Sequence, residues 1–179
     1  MEYITPTDWK FDIGRLQDEV NHLLQHLSFD THHIKNQLSV TSRPNSPIPI
    51  YDGVGSLWHR DNQCYIAKEC EFTEVNEEFR GTYLEHIYDT IRATTPLGRV
   101  RLLRIQPGRC YSFHSDTEAR FHLAVKTNDS AFIIYRDVPP YHIPADGIVY
   151  SMNATHKHTA LNGDRTGQDR IHLVFNGLE

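Results

Sequence analysis

Hydrophobic positions follow a helical period in the first part of the chain and an alternating period after residue 98. One apolar stripe near the N-terminus recurs at intervals of three and four residues, which predicts an opening helix that packs on a sheet. Its members are Leu16, Val20, Leu23, Leu24 and Leu27. A second apolar stripe predicts a helix over 80–93. Between the two helices, the segment 43–56 is rich in Pro, Gly and Ser, which predicts a loop at the rim of a pocket.

Beyond residue 98, short alternating segments separated by turn residues predict a series of strands. They are Arg99–Gln106, Cys110–His114, Arg120–Lys126, Ala131–Arg136, Gly147–Met152 and Asp169–Asn176. Short strands at this spacing are typical of an antiparallel sandwich or barrel. We therefore expect one domain over 1–179, with a helical and loop-rich support in 1–98 and a barrel-like core in 99–176.

Two of the predicted strands place Arg and His together on one face. The polar face of the first carries Arg120 and His122, and that of the second carries Arg170 and His172. The opposite faces are apolar, because alternate residues of a strand point to opposite sides. The polar face is either an ordinary solvent-facing surface or the interior of a barrel that holds a polar site.

Composition narrows the class of protein. The chain has 179 residues, 12 of them His, and a formal net charge of -5, which disfavours nucleic acid as a partner. No stretch approaches the roughly 20 apolar residues that span a bilayer, and the first residues lack the pattern of a secretory signal, so we expect no membrane partner. Cys64, Cys70 and Cys110 lack the paired spacing of a metal site and predict reduced thiols in a cytoplasmic protein.

The tripeptide His-x-Asp, in which an imidazole and a carboxylate can share one ion, occurs at 59–61 and again at 114–116. In extended backbone, residues i and i+2 point the same way. Two His and one carboxylate form the facial triad of non-haem Fe(II) oxygenases, which leaves coordination positions open. A third ligand must then come from a facing strand, and the segment 153–158 offers both His156 and His158.

Sequence context favours the second copy of the tripeptide. His114 follows a Pro-Gly turn and an aromatic segment, and it is followed by a distant His and then by Arg170 at the head of the last predicted strand. The copy at His59 follows a loop and precedes a segment with weak alternation, and it has no such sequel. The sequence therefore predicts a metal site that contains His114 and Asp116.

This order of residues lies in the runs RVRLLRIQPGRCYSFHSDTEARFHLAVKTN and HTALNGDRTGQDRIHLVF. These runs resemble the aspartyl/asparaginyl β-hydroxylase-like branch of the 2-oxoglutarate and Fe(II)-dependent oxygenases, over residues 99–176 and more loosely over the N-terminal part. The resemblance implies a mainly β fold: a double-stranded β-helix (jelly-roll, cupin-like) core with the N-terminal and central helices packed on the outside. The best-known hydroxylases of this branch lack a carboxylate ligand. Because Asp116 is present, the chain resembles the small bacterial amino-acid hydroxylases of the branch more closely.

The same resemblance implies an iron site. It assigns His114, Asp116 and His158 as the Fe(II) ligands, and the run HTALN matches the ligand strand of the family, which favours His158 over His156. His156 then lies beside the ligands or at the rim of the pocket.

The resemblance also implies that Arg170, Arg120 and His122 bind the co-substrate 2-oxoglutarate. A guanidinium pairs bidentately with a carboxylate, which favours Arg170 for the distal carboxylate. Arg120 and His122 remain open between a carboxylate of the co-substrate and one of the substrate.

The implied activity is that of a 2-oxoglutarate-dependent dioxygenase, which uses O2 to hydroxylate an Asp-, Asn- or Pro-like side chain and releases succinate and CO2. Because little of the chain lies outside the barrel, we expect a free amino acid or a short peptide as the substrate. The residues proposed at the mouth of the site are Arg60, Trp58, Tyr135 and His156. Arg60 is included because a substrate carboxylate needs a cationic partner.

Two other functions fit the same barrel. One is a cupin-type metalloenzyme that does not use 2-oxoglutarate and therefore does not need Arg170. The other is a non-catalytic jelly-roll binding module. The oligomeric state is not predicted.

Overall fold

The computed structural model describes residues 3–59 and 61–178. These residues contain two α-helices, α1 (Ile13–Leu23) and α2 (Tyr83–Arg92), and short 3₁₀ turns at Pro49–Tyr51, Glu69–Glu71 and Glu77–Phe79. The strands are β1 (Ile4–Lys10), β2 (Gln37–Ser39), β3 (Thr41–Ser42), β4 (Trp58–His59), β5 (Cys64–Tyr65), β6 (Glu74–Val75), β7 (Leu97–Ile105), β8 (Arg109–Cys110), β9 (Arg120–Lys126), β10 (Ala131–Tyr135), β11 (Ile148–Met152), β12 (His158–Asn162) and β13 (Arg170–Gly177).

Two antiparallel sheets form the barrel. The larger has six strands in the order β1-β11-β9-β13-β7-β2, and the smaller has three in the order β10-β12-β8. Strands distant in sequence lie side by side, as in the pairing of β9 with β13. The fold is therefore mainly β, with a double-stranded β-helix core, as the family resemblance implied.

The helices cover the outer face of the larger sheet. Leu123 of β9 and Leu173 of β13 pack in one buried cluster with Leu16 of α1 and Ile87 of α2. Asp12 and Thr82 cap the N-termini of these helices, since their side chains accept from Arg15 N and Glu85 N. Outward-facing apolar residues therefore hold the support layer against the barrel.

The alternate residues of β9 and β13 point into the barrel. Ala124 belongs to a second buried cluster with Ile133 and Met152, between the two sheets. Arg120 and His122 share the face of Ala124, because side chains alternate along a strand. Arg170 and His172 likewise face away from the outer cluster, and both are buried. The polar face of these strands is therefore the barrel interior.

The N-terminal segment differs from its prediction. The chain enters the fold with β1, which pairs with β11 at the edge of the larger sheet, and α1 follows it. Thr5, Pro6 and Thr7 weaken the apolar alternation of β1, and Pro is tolerated because this is an edge strand. Helix α1 ends at Leu23, so Leu24 and Leu27 pack on the core from the segment after it.

Two differences occur in the smaller sheet. The strand predicted over Cys110–His114 is limited to Arg109–Cys110, and beyond it His114 forms an isolated bridge with His158. Alternation did not mark strand β12, because most of its short run is buried, and only the family resemblance indicated a strand there. Within the described residues, no helix is both long and apolar enough to cross a bilayer.

Candidate metal centre

Three predicted ligands come together at one end of the barrel. One ligand atom from each of His114, Asp116 and His158 lies within 4.8 Å of the others. His114 Nε2 is 3.9 Å from Asp116 Oδ1. The His114 side chain is 40% exposed, whereas His158 is 4% exposed, so the cluster is buried on one side and open to solvent on the other.

Backbone pairing brings the two histidines together. His114 N donates to His158 O at 3.0 Å, and His158 N donates to His114 O at 2.9 Å. The Asp116 amide is also fixed, because it donates to Ala154 O at 2.9 Å. The bridge thus joins ligands that are far apart in sequence.

Hydrogen bonds set the tautomer of both imidazoles. His114 Nδ1 lies 2.8 Å from Ser112 O, and His158 Nδ1 lies 2.9 Å from His156 O. A carbonyl oxygen only accepts, so each Nδ1 carries the proton and each Nε2 keeps its lone pair. Both rings therefore present Nε2 as the metal donor.

Asp116 supplies the negative donor. Its burial opposes ionisation, but the hydrogen bond from Arg120 and the positive charge of that residue outweigh this, so the pKa of the Asp116 carboxyl is lowered. Burial also lowers the pKa of His158. Two neutral imidazoles and one carboxylate are the donor set of the Fe(II) facial triad, so these residues fit that metal.

Tyr135 packs beside the ligand cluster. It is buried, its ring centroid lies 5.8 Å from that of His158, and its hydroxyl donates to Asn153 O at 2.9 Å. Tyr3 stacks on its other side at 4.4 Å. The sequence predicted Tyr135 at the mouth of the site, and the structure places its side chain in the buried cluster between the two sheets.

The structure describes two of the other residues predicted at the mouth, His156 and Trp58. His156 is exposed and packs on Tyr3 with ring centroids 5.0 Å apart, and it is not in the ligand cluster found among the described residues. Trp58 is 43% exposed and packs edge-on against Tyr65 in the β4–β5 hairpin. His59 belongs to the same hairpin, and its Nδ1 accepts from Asn62 N at 3.2 Å. Arg60 lies outside the described residues.

Deeper in the barrel, Arg170 lies among neutral groups. Its Nη2 is 3.2 Å from His172 Nδ1, and it forms no ion pair with a carboxylate of the described residues. Burial lowers the pKa of Arg170 to about 10, which leaves it protonated at neutral pH. His122 Nδ1 lies 3.4 Å from His172 Nδ1. Burial and the charge of Arg170 hold the pKa of both imidazoles well below the ordinary value.

Sequence comparison identifies a family for this chain. The profile of the aspartyl/asparaginyl β-hydroxylase family matches residues 11–178. The chain belongs to this family. Membership of this family makes the protein a hydroxylase. No curated protein shows significant sequence similarity to this hydroxylase.

Solved structures with a TM-score above 0.5 share the fold of the hydroxylase. A prolyl-4-hydroxylase from Pseudomonas putida aligns with 100% of this chain and 94% of its own, at 10% identity and a TM-score of 0.53. The viral collagen prolyl hydroxylase of Paramecium Bursaria Chlorella virus-1 aligns with 99% of this chain and 91% of its own, at 12% identity and a TM-score of 0.51. The DMSP lyase DddQ from Ruegeria pomeroyi DSS-3 aligns over 45% of this chain and only 38% of its own, at 16% identity and a TM-score of 0.38.

Sequence reasoning missed three buried charged residues of the hydroxylase. Arg99 and Arg101 lie on β7, and Glu69 lies in a 3₁₀ turn. Arg99 donates to both Glu69 carboxylate oxygens, at 2.7 and 2.9 Å, and Arg120 Nη1 is 3.7 Å from Glu69 Oε1. Arg99 and Arg101 alternate with Val100 and Leu102, and this alternation could have identified them as polar residues of one strand face. The sequence around Glu69 contains no comparable pattern.

A glycine allows this turn to approach β7. A Cβ at Gly98 would lie 2.9 Å from both Glu69 Cβ and Glu69 O. The absence of a side chain at Gly98 therefore lets the turn reach the barrel and place its carboxylate between Arg99 and Arg120.

Several buried polar atoms of the barrel lack a hydrogen-bond partner among the described residues. They include Arg101 Nε, Tyr111 Oη, Arg120 Nη1 and His172 Nε2. Buried donors are normally satisfied, and unsatisfied cationic donors call for an anionic ligand. The interior therefore fits a carboxylate-bearing molecule beside the metal site.

Proposed function

We propose that this hydroxylase is an Fe(II)- and 2-oxoglutarate-dependent dioxygenase that hydroxylates an amino-acid or peptidyl side chain and releases succinate and CO2. The observation that carries the proposal is the convergence of two imidazole Nε2 atoms and one carboxylate oxygen within 4.8 Å. Family membership and the double-stranded β-helix fold support it.

His114, Asp116 and His158 would hold the metal. Fe(II) and 2-oxoglutarate, when bound, supply the activation of O2 that protein side chains lack. The chain fixes the donors in place through the His114–His158 bridge and keeps both imidazoles unprotonated at Nε2. The exposed side of His114 leaves an approach for ligands.

Arg170 would bind the distal carboxylate of 2-oxoglutarate. Its guanidinium is buried and without an ion-pair partner in residues 3–59 and 61–178, so a bidentate carboxylate would compensate its charge. Burial raises the pKa of the Tyr111 hydroxyl, and the positive charge of nearby Arg170 partly opposes this rise. This hydroxyl lacks a described partner and would donate to the same ligand.

A free amino acid or a short peptide with an Asp-, Asn- or Pro-like side chain is the proposed substrate, and a cytoplasmic location stays a prediction. A cupin-type metalloenzyme without 2-oxoglutarate would leave the buried charge of Arg170 unexplained.

Anaerobic addition of 2-oxoglutarate to the Fe(II)-loaded protein tests the proposal. A weak visible charge-transfer band is expected when the keto acid chelates the iron. Iron that is bound without producing this band would contradict the use of 2-oxoglutarate. Succinate release, measured against a panel of amino acids and peptides, then tests turnover.

A further inference from the structure

Arg101 is a second buried guanidinium without a carboxylate partner among the described residues. It lies on β7 and is 6% exposed. Its Nη1 donates to Gln37 Oε1 at 3.1 Å and to Gly55 O at 3.4 Å, and its Nε has no described partner. Only neutral acceptors therefore meet this cation.

The neighbouring carboxylates are already committed to other residues. Glu69 binds Arg99 through both oxygens, and Asp116 accepts from Arg120 Nε at 2.9 Å. Burial and the positive charges of Arg99 and Arg120 together hold the pKa of Arg101 well below its ordinary value. An uncompensated buried cation is costly unless a ligand brings a negative charge.

The backbone positions of Arg101 and Arg170 lie at different levels of the barrel, and both charges oppose the effect of burial on the pKa of Tyr111. Arg170 pairs with Ile105 of β7, which is four residues from Arg101, or about 13 Å along the strand. The two carboxyl carbons of an extended five-carbon diacid are about 5 Å apart. Arg170 is the proposed partner of the distal carboxylate of 2-oxoglutarate, and Arg101, at a different level of the barrel, is available to a second carboxylate.

Arg101 is also close to the metal centre and to the loop rim. Val174 of β13 pairs with Arg101 of β7 and with His122 of β9, so these two inward residues lie in one cross-strand row. The next inward residue of β9 is Arg120, which binds Asp116, so this row lies beside the candidate ligands. Gln37 Oε1 accepts from Gly55 N at 2.9 Å as well as from Arg101. Gln37 therefore ties the guanidinium to the rim loop that sequence analysis predicted beside a pocket.

We propose that Arg101, held by Gln37, binds a free carboxylate of the substrate, and that the substrate is accordingly a small carboxylic acid such as a free amino acid. A residue inside a peptide has no such carboxylate on its main chain. The assignment rests on the proposed function, because it takes Arg170 and the metal centre as the site of the co-substrate. It makes Arg101 a specificity-determining residue.

The first experiment separates this inference from the proposed function. Titration of the Mn(II)-loaded protein with 2-oxoglutarate by calorimetry is expected to give the same affinity, within about twofold, for wild type and Arg101→Gln. A large loss in Arg101→Gln would overturn the assignment, since Arg101 would then serve the co-substrate. Absence of 2-oxoglutarate binding in the wild type would instead contradict the proposed function.

The second experiment needs no variant. Proteinogenic amino acids and their carboxamides are added to wild-type protein loaded with Mn(II) and 2-oxoglutarate, and binding is measured by calorimetry. At least one free acid is expected to bind, with its carboxamide at least tenfold weaker, because the carboxamide lacks the charge that Arg101 would pair with. Equal binding of acid and carboxamide, or no binding by any acid, would overturn the inference.

The third experiment tests the residue. Arg101→Gln is expected to remove the preference for acid over carboxamide, and Arg101→Lys to keep part of it. Arg104→Gln is the matched control, because Arg104 lies on the same strand but its guanidinium binds Asn36 and Asp30. Thermal unfolding confirms that each variant is folded. A preference that persists in folded Arg101→Gln would contradict the assignment.

Discussion

Arg120 Nε donates to Asp116 Oδ2 at 2.9 Å, while Asp116 Oδ1 lies 3.9 Å from His114 Nε2. One carboxylate oxygen is thus held by a guanidinium and the other faces the imidazoles. Because Arg120 is the first residue of β9 and Asp116 precedes it by four residues, this ion pair connects the segment that carries the ligand to the strand. A partner of this kind orients a metal ligand without contacting the metal.

Replacement of Arg120 by Gln is expected to weaken metal binding by about 10- to 100-fold, because Asp116 loses the group that orients it and keeps it ionised. Titration of the metal-free protein with Mn(II) measures this. Arg109→Gln, an exposed position on β8, is the control. Equal affinities of Arg120→Gln and the control would show that the ion pair does not act on the metal site.

The choice between the two neighbouring histidines gives a sharp comparison. His158→Ala removes a ligand atom and is expected to reduce Mn(II) affinity by more than about 100-fold, beyond the loss of a supporting contact. His156→Ala removes an exposed ring that packs on Tyr3. The Mn(II) affinity of this variant is expected to stay within about twofold of that of wild type. The reverse order would make His156 the ligand.

Removal of Arg170 tests the co-substrate site. Arg170→Gln is expected to lower 2-oxoglutarate affinity by about 10- to 100-fold, since a hydrogen-bonded charge contributes about 1.5–3 kcal/mol. Calorimetry with the Mn(II)-loaded variant gives the value, and Arg170→Lys should retain part of the binding. Unchanged affinity in Arg170→Gln would favour a cupin-type enzyme that does not use 2-oxoglutarate.

The buried imidazoles make stability depend on pH. Their pKa values are lowered in the folded protein, so below pH 6.5 the unfolded chain binds protons that the folded protein does not. Stability is therefore present above that pH and is lost as pH falls, by about 1.4 kcal/mol per pH unit for each such group.

Denaturant unfolding of metal-free protein between pH 7 and pH 5 measures this loss. His172→Asn keeps an acceptor for Arg170 but removes one titrating ring, so its stability should fall less steeply than that of wild type. Parallel curves would show that His172 does not carry the pH dependence.

The ion pair of Glu69 with Arg99 should matter far more than a surface pair. The two side chains are 11% and 5% exposed, and Glu69→Gln leaves the buried guanidinium without its carboxylate. The expected loss is about 3–5 kcal/mol in the free energy of unfolding. Glu77→Gln breaks an exposed pair with Arg80 and should cost less than about 1 kcal/mol. Similar losses in both variants would contradict this difference.

Strand alternation predicted which residues of β9 and β13 share a face, but it left open whether the polar face meets solvent or the barrel interior. The spacing of His114 and Asp116 was equally readable. The contact of Tyr135 with His158 could not be predicted from the sequence, since it depends on how β10 pairs with β12. Glu69 was missed for the same reason: it meets Arg99, 30 residues away, only through folding of the intervening segment.

The amide-to-carbonyl pairing of His114 with His158 assembles the donors by main-chain hydrogen bonds. Many small metal sites form only as the ion organises an unfolded chain. Here the main-chain pairing of the two histidines uses no metal-donor atom, so it does not depend on the ion. The ion acquired then depends on the supply around the protein as well as on the donor set.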